Sequence, residues 1–205
     1  MAMKANRVRP SRRKSLSRAL GGGAAALLGG MLAMSVADAA NPIADLDVGP
    51  DGAPIIRMVT PDEPKPAPVV SFVDASGASH SLAAYQGKVT AVHFWATWCA
   101  PCRSELPKVD ALAAALADEN FAIVPLSVDR DGPEVVTTFY QENGIKSLPL
   151  FLDEGLAAFR AFKLGGVPAT VFVDAGGNEI ARVLGDRDWS KPEIVELVRK
   201  MIAGG

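Results

Sequence analysis

The sequence predicts an α/β fold in which a central mixed sheet is flanked by helices and closed by an antiparallel hairpin. Segments with strand patterns alternate with segments of helical spacing, and this alternation is typical of a sheet covered by helices on both faces. Residues 89–95 are apolar at nearly every position, as expected for a strand buried on both sides. Small residues at 175–177 separate the last two predicted strands, which indicates a hairpin.

The first half of this predicted domain contains strands and two helical segments. Apolar and β-branched residues predict strands over residues 69–73, 89–95 and 121–128. A turn and a second short extended piece follow the first strand, and residues 82–86 form one predicted helical turn that ends at Gly87. Apolar residues recur at helical spacing over residues 99–117, which predicts a helix with a kink at Pro107.

The second half continues the alternation. It contains predicted strands over residues 148–152, 169–174 and 179–184, and predicted helices over residues 133–143 and 154–163. The last helix is predicted to begin at Ser190, whose hydroxyl would form a capping box with Glu193 three residues later.

Residues 1–39 have the composition of a secretory signal peptide. Seven basic residues oppose one acidic residue, a net charge of +6, and an uncharged run over residues 19–36 follows. Ala37-Asp38-Ala39 then offers a small-x-small cleavage site. Arg12-Arg13 fits a twin-arginine export signal and an ordinary basic region equally well. The apolar run also approaches the roughly 18–20 residues of a membrane span, so an uncleaved anchor is the alternative to cleavage.

The rest of the chain is acidic and begins with a proline-rich segment. Residues 40–205 carry 14 basic and 22 acidic side chains, a net charge of −8, which disfavours nucleic-acid binding. Seven prolines fall within residues 41–68 and favour extended chain. We therefore predict a signal peptide over 1–39, a linker over 40–68 and one domain over 69–205. Export places this domain in the periplasm or another extracytoplasmic compartment, where disulfides persist.

Cys99 and Cys102 carry the clearest chemical signal. They follow the predicted buried strand, with Cys99 at the start of the next helix. Free amides and the helix dipole stabilise a thiolate there, and this setting lowers a thiol pKa from about 8.5 to roughly 3.5–7.5. Cys99 is therefore the predicted nucleophile and Cys102 the resolving thiol. A structural disulfide or half a metal site is the alternative, although so short a loop stabilises little.

The residues around the cysteines resemble a known family. WCxxC after a buried strand is typical of the thioredoxin-like superfamily, and the string FWATWCAPCRSELP, preceded by LAAYQGK, is similar to the TlpA/ResA-like exported thiol–disulfide reductases. The similarity covers residues 69–205. It implies a thioredoxin-like fold with an extra strand–helix insertion, because Pro168 lies 66 residues after Cys102.

The resemblance also implies a substrate-binding side of the site. Gly166-Val167-Pro168-Ala169-Thr170 is similar to the cis-proline loop that faces the active site in this superfamily. A cis bond before Pro168 would let the Val167 backbone pair with an extended substrate segment. Trp98 would flank Cys99 as an apolar contact surface.

Two residues are candidates for handling the proton of Cys102. Glu105 occupies the position of an acid near the cysteine pair in ResA-like relatives, and the alternative is a solvated Glu in the first helical turn. His93 departs from thioredoxins, which hold a buried carboxylate at this position. It is either a proton acceptor or a hydrogen-bonded core histidine.

Together these residues predict a periplasmic thiol–disulfide oxidoreductase that reduces disulfides. The family implies a disulfide-bearing protein substrate, either the haem-site cysteines of apocytochrome c or a copper-centre assembly factor. It also implies a membrane dithiol donor of the DsbD/CcdA type. We expect no cofactor besides the redox-active Cys99–Cys102 disulfide, and the sequence predicts no particular oligomeric state.

Two other classes stay open at this point. One is a disulfide-forming oxidant of the same fold, because reduction potentials in this group run from about −270 mV to −120 mV. The other is a non-enzymatic copper-handling protein that uses Cys99, Cys102 and a histidine as ligands, since thiolates suit Cu(I). No histidine follows Cys102, which counts against the copper alternative.

Overall fold

A computed structural model describes residues 58–117 and 119–204 as one mixed sheet flanked by helices. The strands in these ranges are β1 (Met58–Val59), β2 (Lys65–Pro66), β3 (Ser71–Asp74), β4 (Ser79–Ser81), β5 (Val89–Trp95), β6 (Phe121–Ser127), β7 (Phe151–Leu152), β8 (Ala169–Val173) and β9 (Asn178–Leu184). The helices are α1 (Ala100–Ala115), α2 (Pro133–Asn143), α3 (Ala157–Ala161) and α4 (Pro192–Gly204), with 3₁₀ turns at Leu82–Tyr85 and Glu154–Leu156. The predicted α/β class is confirmed. The predicted signal peptide and most of the predicted linker lie outside the described residues.

The strands follow the order β1-β9-β8-β5-β6-β7-β3-β4, and β2 also pairs with β9. β6 pairs in parallel with both β5 and β7, whereas the other neighbours are antiparallel. The predicted hairpin is present as β8 and β9. Its turn contains Gly177 at a φ of +86°, a conformation that glycine adopts without strain.

β5 lies in the middle of the sheet and leads directly into the cysteine pair. All seven of its residues are buried. Phe94 packs edge-on against Phe162 with ring centroids 5.6 Å apart, and Trp95 stacks on Tyr140 at 5.9 Å. Successive side chains of a strand point to opposite faces, so these two rings anchor β5 on both sides of the sheet. These contacts hold the end of β5 in place, and the chain continues from there to Cys99.

α1 begins directly after Cys99 and carries the second cysteine on its buried face. Pro101 stands in the first turn. A backbone N–H at this position would have no acceptor within the helix, so proline costs no hydrogen bond there. The helix runs on through Pro107. Cys102 and Glu105 are both buried on this helix and lie three residues apart, so their side chains are neighbours on one face.

The sheet begins earlier along the chain than residue 69. β1 pairs antiparallel with Val183 and Arg182, and β2 pairs with Glu179 and Asn178. Both short strands lie in the segment that its proline content predicts to be a linker. A proline is tolerated at a sheet edge because its missing N–H can face away from the ladder. The proline content of this segment predicted a linker, whereas β1 and β2 cover the outer edge of β9.

Two predicted elements between α2 and β8 are shorter than expected. The strand predicted over residues 148–152 contains only Phe151 and Leu152. The Asp110 carboxylate instead accepts the backbone N–H groups of residues 146–148 at 2.6–3.1 Å. The helix predicted over residues 154–163 is divided, because Gly155 and Leu156 adopt left-handed φ values of 69° and 61° before α3 begins.

The predicted capping box of the last helix is wrong. α4 begins at Pro192, and the Ser190 hydroxyl donates to the Asp188 carboxylate at 2.6 Å instead of capping the helix. Among the described helices, none combines the length and the apolar character that crossing a membrane requires.

Candidate active site

Cys99 and Cys102 form a disulfide at the amino end of α1, with an S–S distance of 2.07 Å. Cys99 is the N-cap residue, and its sulfur accepts the backbone N–H of Cys102 at 3.3 Å. Cys99 retains 6% of its surface in solvent, whereas Cys102 has none. Cys99 is therefore the more exposed residue of the pair, and the helix N-terminus can stabilise a thiolate there.

The loop before β8 lies against this disulfide. The Val167–Pro168 peptide bond is cis, as the family resemblance implied. The Cys99 sulfur lies 3.7 Å from the carbonyl oxygen of Val167. The Gly185 N–H donates to the Pro168 carbonyl at 2.9 Å, which ties the loop to the end of β9. The structure thus brings together Cys99, Val167 and Pro168 from positions far apart in the chain.

A buried aspartate that the sequence analysis did not single out supports the turn before Cys99. The Asp129 carboxylate accepts the Thr97 backbone N–H at 2.9 Å and the Thr97 hydroxyl at 2.6 Å. It also accepts the Ser127 hydroxyl at 2.7 Å, and Asp129 is only 5% exposed. Asp129 therefore fixes the turn to the end of β6. An Asp directly after a buried strand was the available sequence signal.

Glu105 is a buried acid with an incomplete set of hydrogen bonds. Its side chain is 1% exposed, so the alternative of a solvated Glu is wrong. Oε1 accepts the indole N–H of Trp189 and the backbone N–H of Arg187, the latter at 3.3 Å, whereas Oε2 has no partner. Burial raises the pKa of Glu105 to about 7, although both hydrogen bonds oppose this increase. The carboxyl group can thus take up and release a proton near neutral pH.

His93 is a buried residue of β5 with one hydrogen bond. Its Nδ1 lies 2.9 Å from the hydroxyl of Thr170 on the neighbouring strand, and Nε2 has no partner. Burial lowers the pKa of His93 to about 3, so the imidazole is neutral at pH 7. These contacts are those of a hydrogen-bonded core histidine, which was one of the two predicted alternatives.

An open cleft of about 570 Å³ adjoins the residue before Cys99 and the cis-proline loop. Trp98, which is 66% exposed, and Val167 line it from the active-site side. Leu156 and Phe159 line it from the segment around α3, and Arg130 and Asp131 add opposite charges at its wall. The structure therefore places both predicted substrate-contact residues in one partly apolar cleft.

Cys99 and Cys102 supply the redox chemistry of this site. Groups of three or more His, Cys, Asp or Glu arranged to hold a metal ion are not found within the described ranges. A disulfide at a helix N-terminus, facing a cis-proline loop on a mixed sheet, can exchange with a thiol or with another disulfide. The fold and the site together define a thiol–disulfide oxidoreductase of the thioredoxin-like class.

The comparison with protein families agrees with this class. The Redoxin family model matches residues 63–198, which is more than half of the sequence, and the chain belongs to the Redoxin family.

The chain is similar to curated relatives and solved structures that are named as thiol–disulfide enzymes. The chain is 27% identical to the thiol-disulfide oxidoreductase ResA of Bacillus anthracis over 123 residues, which cover 60% of this chain and 70% of that protein. It is 28% identical to ResA of Halalkalibacterium halodurans over 134 residues, covering 63% and 74%. A thiol:disulfide interchange protein of Chlorobium tepidum superposes with a TM-score of 0.58 at 29% identity, covering 68% of this chain and 97% of that one. One from Bacteroides sp. gives a TM-score of 0.58 at 26% identity, covering 69% and 91%. The protein is a ResA-like thiol–disulfide redox enzyme.

Proposed function

We propose that the protein is an exported reductase in which Cys99 attacks a substrate disulfide and Cys102 resolves the resulting mixed disulfide. The observation that supports this most directly is the Cys99–Cys102 disulfide at the amino end of α1, with the Cys99 sulfur 3.7 Å from the carbonyl of the cis-proline loop. Cys99 is 6% exposed and Cys102 is fully buried, which supports the two assigned roles. The disulfide form is the product of one round of substrate reduction.

The reaction starts from the dithiol form. The Cys99 thiolate forms a bond to one substrate sulfur, and the second substrate sulfur leaves with the electron pair and takes up a proton. The Cys102 thiol then loses its proton and attacks the Cys99 sulfur. This step closes the Cys99–Cys102 disulfide and releases the first substrate sulfur as a thiol. Two electrons thus pass from the protein to the substrate.

Glu105 is the proposed acceptor for the Cys102 proton. It shares the buried face of α1 with Cys102, and its Oε2 has no other partner. Burial raises the pKa of Glu105 to about 7, close to the value that suits proton exchange at neutral pH. Burial lowers the pKa of His93 to about 3, which makes the imidazole a weaker base than Glu105 and argues for Glu105 as the acceptor.

The cleft beside Trp98 is the proposed binding site for an extended segment of the substrate protein. Its position next to Cys99 and Val167 lets the segment contact the apolar wall while its disulfide reaches Cys99. The exposed Trp98 side chain provides a large contact area at the entrance. Val167 would pair with the substrate backbone.

The cellular setting is also part of the proposal. The basic and apolar amino terminus with its small-residue exit supports export to the periplasm or an equivalent compartment. The resemblance of the residues around the cysteines to the TlpA/ResA-like reductases supports a reducing role. The substrates we propose are apocytochrome c haem-site cysteines or a copper-centre assembly factor. A membrane dithiol donor of the DsbD/CcdA type would return Cys99 and Cys102 to the thiol form.

A trapping experiment tests the assigned roles. We expect Cys102→Ser to accumulate a mixed disulfide with the substrate, because the resolving sulfur is absent, and Cys99→Ser is the matched control that should form none. Non-reducing electrophoresis and mass spectrometry detect the adduct. An adduct on Cys99→Ser alone would reverse the roles.

The reduction potential tests the direction of electron flow. We expect a value near or below the roughly −270 mV of thioredoxin when the Cys99–Cys102 couple is equilibrated with glutathione or dithiothreitol. A value near about −120 mV would identify a disulfide-forming oxidant instead.

A further inference from the structure

Trp189 lies in the loop between β9 and α4 and contacts the side chain of Glu105. Its indole N–H donates to Oε1, and the Arg187 backbone N–H from the same loop donates to that oxygen at 3.3 Å. Glu105 is 1% exposed and Trp189 is 2% exposed. The two donors therefore act on one carboxylate oxygen in a site that excludes bulk water.

The other carboxylate oxygen is left available. Oε2 of Glu105 is buried and has no hydrogen-bond partner. Since the loop fixes Oε1, the carboxylate cannot turn freely to satisfy Oε2 elsewhere. Cys102 lies three residues earlier on the buried face of the same helix, where its side chain is a neighbour of Glu105. The arrangement thus keeps one oxygen free on a helix face that also carries the resolving sulfur.

We propose that Trp189 is a positioning residue that holds the Glu105 carboxylate for proton transfer from Cys102 and sets the pH at which that transfer occurs. This inference rests on the proposed function, which assigns Glu105 as the proton acceptor. In the step concerned, the Cys102 proton moves to Oε2 and forms a neutral carboxylic acid. The freed electron pair of the Cys102 sulfur forms the bond to Cys99, and the substrate sulfur leaves with the electrons of the broken S–S bond.

The hydrogen bond from Trp189 lowers the pKa of Glu105, and its effect exceeds that of either neighbouring charge. Asp186 raises the pKa of Glu105 and the Arg187 side chain lowers it, and both belong to the same loop as Trp189. Lys108 of α1 pairs with Asp188 at 3.6 Å. His93 of β5 lines a small cavity together with Trp189, and burial keeps its imidazole neutral at pH 7.

Trp189→Phe tests the inference, with Trp95→Phe as the matched control. Both indoles are almost fully buried, but the N–H of Trp95 has no hydrogen-bond partner. Trp95→Phe therefore makes the same change of ring size as Trp189→Phe without removing a hydrogen bond. A hydrogen bond to a charged group changes an acid dissociation constant by about tenfold to a hundredfold. We therefore expect Trp189→Phe to lower the acid dissociation constant of Glu105 at least tenfold and Trp95→Phe to leave it unchanged.

Carbon-13 NMR of the oxidised full-length chain measures this titration, with the Glu105 carboxyl signal assigned by its loss in Glu105→Gln. An unchanged Glu105 titration in Trp189→Phe, or an equal change in Trp95→Phe, would overturn the inference. A measurement on the wild type covers the case in which Trp189→Phe does not fold. The indole ¹⁵N–¹H signal of Trp189 should follow the protonation of Glu105 with a midpoint near pH 7, and that of Trp95 should not. A pH-independent Trp189 signal would refute the contact.

The pH dependence of disulfide reduction separates this inference from the proposed function. We expect the pH at which the Cys102 step reaches half its maximum rate to rise in Trp189→Phe and the dependence to disappear in Glu105→Gln. If Glu105→Gln reacts like the wild type, Glu105 is not the acceptor, and the proposed proton step fails together with the role of Trp189. If Glu105→Gln loses the dependence while Trp189→Phe retains the wild-type profile, the role of Trp189 alone fails.

Discussion

Replacing Glu105 with Gln should stabilise the oxidised protein above pH 7 relative to the wild type, with no comparable gain at pH 4. Glu105 is 1% exposed, and burial raises its pKa from 4.5 to about 7. Above pH 7 the folded wild type therefore holds a charged carboxylate in a buried site. Gln keeps the size of the side chain and an oxygen that can accept the Trp189 N–H, but it carries no charge.

The size and sign of the effect follow from the two pKa values. Between pH 4.5 and pH 7, Glu105 binds a proton in the folded protein while it is ionised in the unfolded chain. The free energy of unfolding therefore falls as the pH rises through this window and levels off above it. The total loss is about 3 kcal/mol, since each pKa unit corresponds to about 1.4 kcal/mol. Glu105→Gln removes this loss.

His93 acts in the opposite direction and must be separated from Glu105. Burial lowers the pKa of His93 from 6.5 to about 3, so the unfolded chain binds its proton more readily than the folded protein. Stability from this residue is present above pH 6.5 and is lost as the pH falls towards 3. Because the wild type and Glu105→Gln share His93, the difference between their free energies of unfolding cancels its contribution.

Urea unfolding of both oxidised proteins at pH 4, 6 and 8, followed by circular dichroism, measures this difference. Glu142→Gln, at an exposed position of α2, is the control and should show no comparable gain at pH 8. A difference between wild type and Glu105→Gln that is the same at all three pH values would refute the assignment of a buried, titrating carboxyl group. A difference that grows towards low pH would refute its sign.

Two further predictions concern the turn before Cys99 and the cleft beside it. Asp129→Asn should lower the free energy of unfolding by about 1–3 kcal/mol, because it weakens the hydrogen bonds from Thr97 and Ser127, and should slow the attack of Cys99 on a disulfide. Urea unfolding and stopped-flow kinetics measure both effects, and wild-type values in both would contradict the role of Asp129. Trp98→Ala should lower kcat/KM for insulin reduction severalfold while leaving the reduction potential unchanged, because Trp98 lines the proposed substrate cleft and carries no titrating group. An equal loss with a small disulfide such as oxidised glutathione would contradict this role.

The elements that the sequence predicted well depend on local patterns. The unbroken apolar run of β5, the apolar spacing of α1 and the small residues between β8 and β9 are visible within short windows of the chain. The cysteine pair belongs to this group, because two intervening residues at a helix start already bring the sulfurs within bonding distance. The Val167–Pro168 loop was predictable only through the family resemblance, since its partner Cys99 lies 68 residues away.

The α/β class and the redox pair follow from local sequence patterns, because each depends on neighbouring residues. The surroundings of the pair depend on contacts between distant segments, which meet only in the folded chain. The Trp189 contact to Glu105 spans 84 residues, and the Asp129 contact to Thr97 spans 32. The pairing of β1 and β2 with β9 likewise depends on an edge that exists only once the sheet has formed. Burial of Glu105 arises where α1 meets the β9–α4 loop, so its raised pKa is a property of the folded core.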